Sequence, residues 1–425
     1  MSFASGVITS LIYTTVTVYR VTSAGLDPIQ LVLVGTVLEV AYFALQVPTG
    51  LVADTYSRKK SVVAGVIILG LAFVLEGVLP FFLAIALSQV VRALGLSLIT
   101  GALEAWIADE VDEQRLSATL LRGNQLELFG GLLGTAAAGL VASISLNLPL
   151  IAGGIAMVLL GAFLAGAMQE TVFEGSREDC TESRPDVSAW RSFRDSTKTA
   201  LSGAVQLIRS HPVLLSILGV VAFYGATSEG FDRLWQAHFL EDLSFPSLGR
   251  FEPVVWFSIM GVVASLLSIG VSEILRRWGK LDQSKSVVVA LAVITVGLAG
   301  ATVILALAGN FYLALCAYLV TAALHKAYTP VITAWVAQHV TSRIRATVLS
   351  VKDMFDATGQ FAGGLAIGAV GSIAGLRAAL TLAGLLLLPI LVLLGIAGRK
   401  VVDDAGQSAE SPKLPYESED RGVVQ

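Results

Sequence analysis

Twelve apolar stretches, each long enough to cross a bilayer, dominate what this 425-residue chain can fold into. They lie at 3–22, 29–49, 61–79, 81–107, 119–143 and 147–168, and again at 212–240, 251–275, 286–308, 310–337, 347–371 and 376–398. About 20 apolar residues cover a hydrocarbon core roughly 30 Å thick, and lipid offers the backbone no hydrogen-bond partner, so each stretch is predicted to be a helix. Composition agrees: 55% of residues are hydrophobic, 14% are charged and mean hydropathy is +0.77, far from the values of a water-soluble domain. The expected fold class is therefore all-α membrane protein, with twelve transmembrane helices in two six-helix bundles at 1–168 and 211–398. Between the bundles lies a polar cytoplasmic segment at 169–210, and a disordered polar tail follows at 399–425. In the central segment Trp190, Phe193, Leu201, Val205 and Ile208 fall at helical spacing, which predicts an amphipathic helix on the membrane surface.

Cations set the orientation. Arg58 to Lys60, Arg115, the cluster from Arg177 to Arg209, Arg276, Arg277, Lys280, Lys285, Arg343 and Arg345 all fall in loops after even-numbered spans, whereas the opposite loops carry little beyond Arg250 and Arg377. The positive-inside rule then predicts that both termini face the cytoplasm of a plasma-membrane protein. The first apolar run lacks a cationic n-region and a small-residue cleavage site, so it is read as a span and not a signal peptide. No basic arm points to nucleic acid, and no phosphate-binding loop, zinc motif or paired-cysteine motif points to an enzyme or a cofactor. Cys180 and Cys316 fall in a predicted loop and a predicted span, which argues against a disulfide.

The two groups of six repeat one another. Ala105-Trp106-Ile107-Ala108 recurs as Ala334-Trp335-Val336-Ala337, and Glu127, Gly130, Gly134 and Gly139 fall opposite Asp356, Gly359, Gly363 and Gly368, both at a spacing of 229. Duplicated six-helix halves belong to transporters whose binding site lies near the midplane where the halves meet.

The tight turn after the second span reads Gly50, Val52, Ala53, Asp54, Arg58 and Lys59 at fixed offsets. It resembles motif A of the major facilitator superfamily of secondary transporters, with Thr55 in place of the first cation and Ser57 in place of the second glycine. The fourth span resembles motif B of drug:proton antiporters with the order changed, since Gln89 stands at the arginine position and Arg92 at the glutamine position, before Gly95. The fifth span resembles motif C of the same antiporters through Gly130, Gly134 and Gly139, with Thr135 in place of the proline and Ala138 in place of a glycine. The glycines also read simply as a seam for close helix packing. The resemblance implies the major facilitator fold, alternating access, and an exporter of the tetracycline, macrolide and multidrug type. Its partners would be protons and a small amphipathic substrate; it would act as a monomer and need no cofactor. It further implies that Asp54 latches the halves at the cytoplasmic side against the start of span eleven near Ala346, with Gly50, Arg58, Lys59, Asp109 and Glu110 completing the network.

An ionisable group at membrane depth costs at least about 2.5 kcal/mol, so each one needs a partner, water or a role. Glu39 lies about 15 Å into the second span, and Arg92 at similar depth in the fourth. The two are expected to meet, either as a static pair or as a proton-driven switch. Glu127 and Asp356, at equivalent repeat positions, read either as gating carboxylates or as anchors. Tyr42, Gln46, Gln89, Glu229, Asp232, Arg233 and Lys326 are the candidate cavity residues, with Glu229 and Arg233 one turn apart and able to satisfy each other. Two other readings stand beside export: a symporter or uniporter of the same fold, and a non-transporting membrane sensor.

Overall fold

The structure, a computed structural model, describes residues 1–100, 102–111, 113–169, 212–247, 253–278, 284–338 and 342–410. The first half comprises α1 (Ser2–Thr22), α2 (Pro28–Tyr56), α3 (Arg58–Val78), α4 (Phe82–Ile99), the short α5 (Ala102–Glu110), α6 (Glu113–Ala142) and α7 (Leu148–Ala167). The second comprises α8 (Pro212–Asp242), α9 (Pro253–Trp278), α10 (Ser284–Leu307), α11 (Phe311–Gln338), α12 (Ser342–Ala374), α13 (Leu376–Leu385) and α14 (Leu388–Glu410). Among the described residues, 12 stretches are long and apolar enough to cross a membrane. The predicted surface helix between the halves lies outside the described residues.

Local chemistry sets the helix ends. At the start of α2 the Asp27 carboxylate accepts from the Gln30 backbone N–H at 2.8 Å while the Gln30 side chain accepts from the Asp27 N–H at 3.2 Å, with Pro28 supplying the preset φ of the first turn. Ser57 ends α2 and caps α3 through the Lys60 N–H, so the polar turn is compressed to one residue between two long helices. Two predicted spans are interrupted. The fourth breaks at Thr100, whose backbone is extended, leaving α5 as a separate piece. The last breaks at Leu386–Leu387, just before Pro389, which has no N–H to continue the helix. Of the predicted disordered tail at 399–425, the part up to Glu410 continues α14, with no proline before Pro412 to stop it, and 411–425 lies outside the described residues.

The two halves repeat in their contacts as well as in their sequence. In the first half a Cβ on Gly6, Gly130 or Gly134 would run into the backbone of Glu127, Phe3 or Val7, so α1 and α6 touch main chain to main chain. In the second half Gly225, Gly359 and Gly363 stand in the same relation to Asp356, Ala222 and Ala226, joining α8 to α12. A polar bridge repeats too: the Tyr19 hydroxyl donates to the Glu76 carbonyl at 2.8 Å, and His238 Nε2 meets the Leu305 carbonyl at 3.1 Å. Without a hydrophobic drive between helices in lipid, such small-residue seams let dispersion hold the bundle.

Each half has its own apolar cluster, one around Ile12, Val62, Phe73 and Leu150, the other around Ile217, Leu291, Trp335 and Ile390. A third cluster is shared, joining Val18, Leu31, Val34 and Ala142 to Phe231, Leu234, Phe257 and Ile367. It sits at the end of the molecule that carries the α1–α2 turn. There Val32 packs on Gly364 and Gly368, Pro28 on Gly371, and Val255 on Gly139, and the Ile29 N–H donates to Ser372 Oγ at 3.1 Å. The halves are thus sealed together at this end.

Gly363→Val should cost about 1–3 kcal/mol through overpacking at a backbone seam. The check is a thermal melt of the purified protein in detergent, with Gly166→Ala, where a Cβ meets nothing, expected to melt like the parent.

Candidate functional site

Opposite the sealed end the halves part around a cavity of about 770 Å³. It is lined by Gly6 and Ser10 of α1, Glu127 and Thr135 of α6, Ser265, Ser268 and Glu273 of α9, and Lys326 of α11. These stretches of α1, α6 and α9 all lie toward the end where the Ser57 turn sits, so the cavity faces that end. Deeper in, it continues into a lobe of about 290 Å³ that adds Tyr13, Trp235, Gln236, Phe257 and Tyr318 while sharing Ser10, Thr135, Ser265, Ser268 and Lys326. Both halves therefore contribute walls to one space closed at its far end.

Behind the Tyr13 wall lies a buried polar chain that joins three helices of the first half, α1, α3 and α4. Arg20 Nε donates to Glu76 Oε1 at 2.7 Å, and both side chains are almost fully buried. Gln89 Nε2 donates to Glu76 Oε2 at 3.0 Å, and Arg92 Nη1 donates to Gln89 Oε1 at 2.9 Å. Arg92 Nη2 donates to the Tyr13 hydroxyl, with its guanidinium carbon 4.9 Å from the Tyr13 ring centroid and 5.1 Å from that of Phe73. Gln89 satisfies the second Glu76 oxygen, while Arg20 Nη2 and Arg92 Nε stay buried without a hydrogen-bond partner; breaking the Arg20–Glu76 pair strands a charge.

The expected Glu39–Arg92 meeting is therefore corrected: the groups that hold Arg92 are Gln89 and Tyr13, and its nearest carboxylate along the chain of bonds is Glu76. Depth along the helix matched, but Arg92 faces the interior of its own half. Gln89, expected in the cavity, is buried in this chain for the same reason. Glu39 instead looks across the interface. It is half-buried, and the charges acting on it are those of Glu229, Arg233 and Asp356, all from the second half.

Arg233 Nε donates to Glu229 Oε1 at 2.7 Å, the expected one-turn pair. It does not line the cavity; a Cβ on Gly35 of α2 would strike both side chains, so the pair is seated against the other half. Asp232 is exposed, and its charge also acts on Arg233. Asp356 is half-buried and accepts from Gln360 Nε2 at 2.8 Å, whereas its repeat partner Glu127 is exposed on the cavity wall. Lys326 lines both parts of the cavity. Tyr42 is half-buried with its ring edge-to-face on Phe43, and Gln46 is exposed; neither reaches the cavity lining.

In the turn, Arg58 pairs with Asp109 of α5 and donates to the Ala105 carbonyl at 3.3 Å, tying the α2–α3 junction to the end of the fourth span. Gly50 lies on α2 with open space where a Cβ would be, and Lys59 is half-buried. The side chains of Asp54 and Ala346 lie outside the described residues. Arg20, Glu76 and Tyr13 were not anticipated from sequence; the signal was present, because Arg20 and Glu76 are ionisable residues inside apolar runs.

A family model described as Major Facilitator Superfamily matches residues 1–304. The chain belongs to this superfamily. It is 25% identical over 394 residues, covering 90% of each chain, to the uncharacterized MFS-type transporter YxaM of Bacillus subtilis (strain 168). Its fold matches a POT family transporter solved with a thioalcohol-conjugated peptide, at TM-score 0.67 and 14% identity over 94% of this chain and 95% of that one. It also matches a bacterial homolog of the human lysosomal transporter Spinster in an inward-facing and occupied conformation, at TM-score 0.65 and 15% identity over 98% and 97%. The nucleoside transporter NupG matches at TM-score 0.64 and 15% identity over 94% and 97%. The superfamily member is thus a secondary transporter of twelve spans, not an enzyme.

A double-mutant cycle tests the buried chain. Glu76→Leu alone should destabilise by about 3–5 kcal/mol because Arg20 is left uncompensated, and adding Arg20→Met should recover a large part of that loss. A cycle on Glu39→Gln and Arg92→Gln should instead be additive within about 0.5 kcal/mol. Thermal melts in detergent read both.

Proposed function

We propose that this superfamily member is a proton-coupled exporter of small amphipathic molecules that works by alternating access. The observation that carries the reading is the one-sided cavity: a space walled by both halves, sealed at the α1–α2 end by a shared apolar cluster and open toward the Ser57 turn. By the positive-inside rule the open end, which carries Arg58, Lys59 and Lys60, faces the cytoplasm, so this pose takes up substrate from inside a cell bounded by the plasma membrane. Outward release requires the sealed end to part and the open end to close. The motif A residues Gly50, Asp54, Arg58 and Lys59, with Asp109, are assigned to that second closure.

Proton coupling is assigned to the interface between α2, α8 and α12. Glu39, Glu229 and Asp232 share the influence of one guanidinium, Arg233, which already donates to Glu229, and the charge of Asp356 also acts on Glu39. Sealing this end pushes Glu39 of one half toward an excess of negative charge on the other, and a proton on Glu39 relieves that repulsion. Deprotonation would favour parting of the same surfaces. The two events make proton movement and tipping one process, with no cofactor needed. Glu127 and Asp356 occupy equivalent seams, and Glu127 alone reaches the cavity wall, so it is assigned to the uptake pose.

Two measurements test the reading. In a background with Cys180 and Cys316 replaced by Ser, the pair Ile29→Cys and Ser372→Cys should lock the sealed end on oxidation, stopping transport, and reduction should restore it; full flux through the cross-linked protein would exclude alternating access about this interface. In vesicles, Glu39→Gln should retain substrate exchange but lose acceleration by an imposed proton gradient. A drug-panel survival assay in an efflux-deficient host, with and without a protonophore, identifies the transported substrates and checks export.

A further inference from the structure

The inner lobe of the cavity carries a charge asymmetry that the outer part does not share. Outside, Glu127 and Glu273 line the wall, Glu273 being paired with Arg277 at 2.7 Å. Inside, Lys326 is the sole charged side chain among the lining residues, and no described carboxylate forms an ion pair with it. Pro330, one turn further along α11, has no N–H to donate to the Lys326 carbonyl, so the helix is loosened at the turn that presents this lysine.

Across the lobe stands Tyr13. Its hydroxyl oxygen accepts from Arg92, which leaves its own hydrogen to be donated into the lobe, and the guanidinium behind it makes that O–H a stronger donor. The chain to which Arg92 belongs holds two guanidinium groups, Arg20 and Arg92, against one carboxylate, Glu76. One positive charge is left over, and it sits directly behind the Tyr13 wall, where low polarity lengthens its reach. Asp232 is the acid whose charge reaches the neighbouring Tyr318, and the same carboxylate interacts with Arg233 beside it on α8. The remaining surface is apolar and aromatic: Trp235 stacks on Tyr318 with centroids 4.1 Å apart and meets Phe257 edge-on at 5.5 Å. Ser10, Thr14, Thr135, Ser265 and Ser268 add hydroxyl groups.

We propose that the inner lobe is an anion site, in which Lys326 and the Tyr13 hydroxyl hold the carboxylate of an amphipathic ligand whose apolar body lies on Trp235, Tyr318 and Phe257. The substrate class is then small organic anions rather than amphipathic cations. This deepens the transport reading and rests on the cavity being the substrate site, but binding itself needs neither a gradient nor a direction. Arg92 acts through Tyr13 and is a positioning residue.

The test is equilibrium binding to the purified, full-length protein in detergent, read by tryptophan fluorescence and by thermal shift, with three probes of one shape: 1-naphthoate, 1-naphthylmethanol and 1-naphthylmethylammonium. The carboxylate should bind about tenfold or more tightly than the ammonium ion. Lys326→Gln should weaken 1-naphthoate by about tenfold while leaving the alcohol within about twofold, which also shows that the variant is folded, and Lys326→Arg should keep most of the affinity. Tyr13→Phe should lower carboxylate affinity by several fold through the lost donor. The proposal is overturned if the ammonium ion binds as well as the carboxylate, if Lys326→Gln leaves 1-naphthoate binding unchanged, or if none of the three probes binds. Loss of proton-driven export with this binding pattern intact would instead count against the export reading alone.

Discussion

The structure depends on main-chain contact between paired helices, α1 with α6 and α8 with α12. Lipid supplies no drive to bury leucine against leucine, so helices gain by approaching until backbone atoms touch, and only glycine at the crossing permits it. Six glycines, Gly6, Gly130, Gly134, Gly225, Gly359 and Gly363, make the seams, and they do so in matching positions of the two halves. Each seam turns two helices into one stiff unit. What remains free to move is the looser surface between the units, and there the apolar contact is confined to one end. A rigid half hinged on a limited contact is a mechanical requirement of rocking.

Much of this was legible in the sequence because it depended on patterns that survive without tertiary context. Span number follows from length and hydropathy, and the glycines of α6 and α12 announced their equivalence through the 229-residue spacing. The matching partners on α1 and α8 did not. Phe3 and Val7 correspond to Ala222 and Ala226, and Tyr19 to His238, pairs that share a role and no identity. What is repeated there is a backbone carbonyl in one case and a hydrogen-bond donor in the other, and several residue types can provide either.

Charges were read less well, for a geometric reason. Depth along a helix can be counted, whereas the direction a side chain faces depends on which neighbour lies beside it. Counting placed Glu39 and Arg92 at one level, but Arg92 points inward to Gln89 and Tyr13 while Glu39 points across to Glu229 and Arg233. The missing partner, Glu76, lies near the end of its apolar run, and Arg20 near the end of another, where a charge reads as a boundary residue. Their pairing at 2.7 Å shows that the polar chain begins at the sealed end and runs inward. The break at Thr100 escaped for a similar reason, since an apolar run of sufficient length conceals a change of helix within it.

The two polar systems have opposite signs, and that opposition makes physical sense of their positions. The buried chain of the first half carries a surplus positive charge and is enclosed by its own helices, so its charge stays constant as the halves tip. The acids around Arg233 carry a surplus negative charge, and Glu39 faces those of α8 across the surface that parts in the proposed cycle, so its distance from them would change as the halves tip. A constant field suits recognition, because the ligand meets the same electrostatics in either pose. A field that varies with separation suits energy coupling, because only a group whose surroundings change can exchange a proton at one stage and hold it at another. The proposed division of labour between recognition and coupling follows from where each set lies relative to the interface between the halves, and it requires no residue to serve both ends.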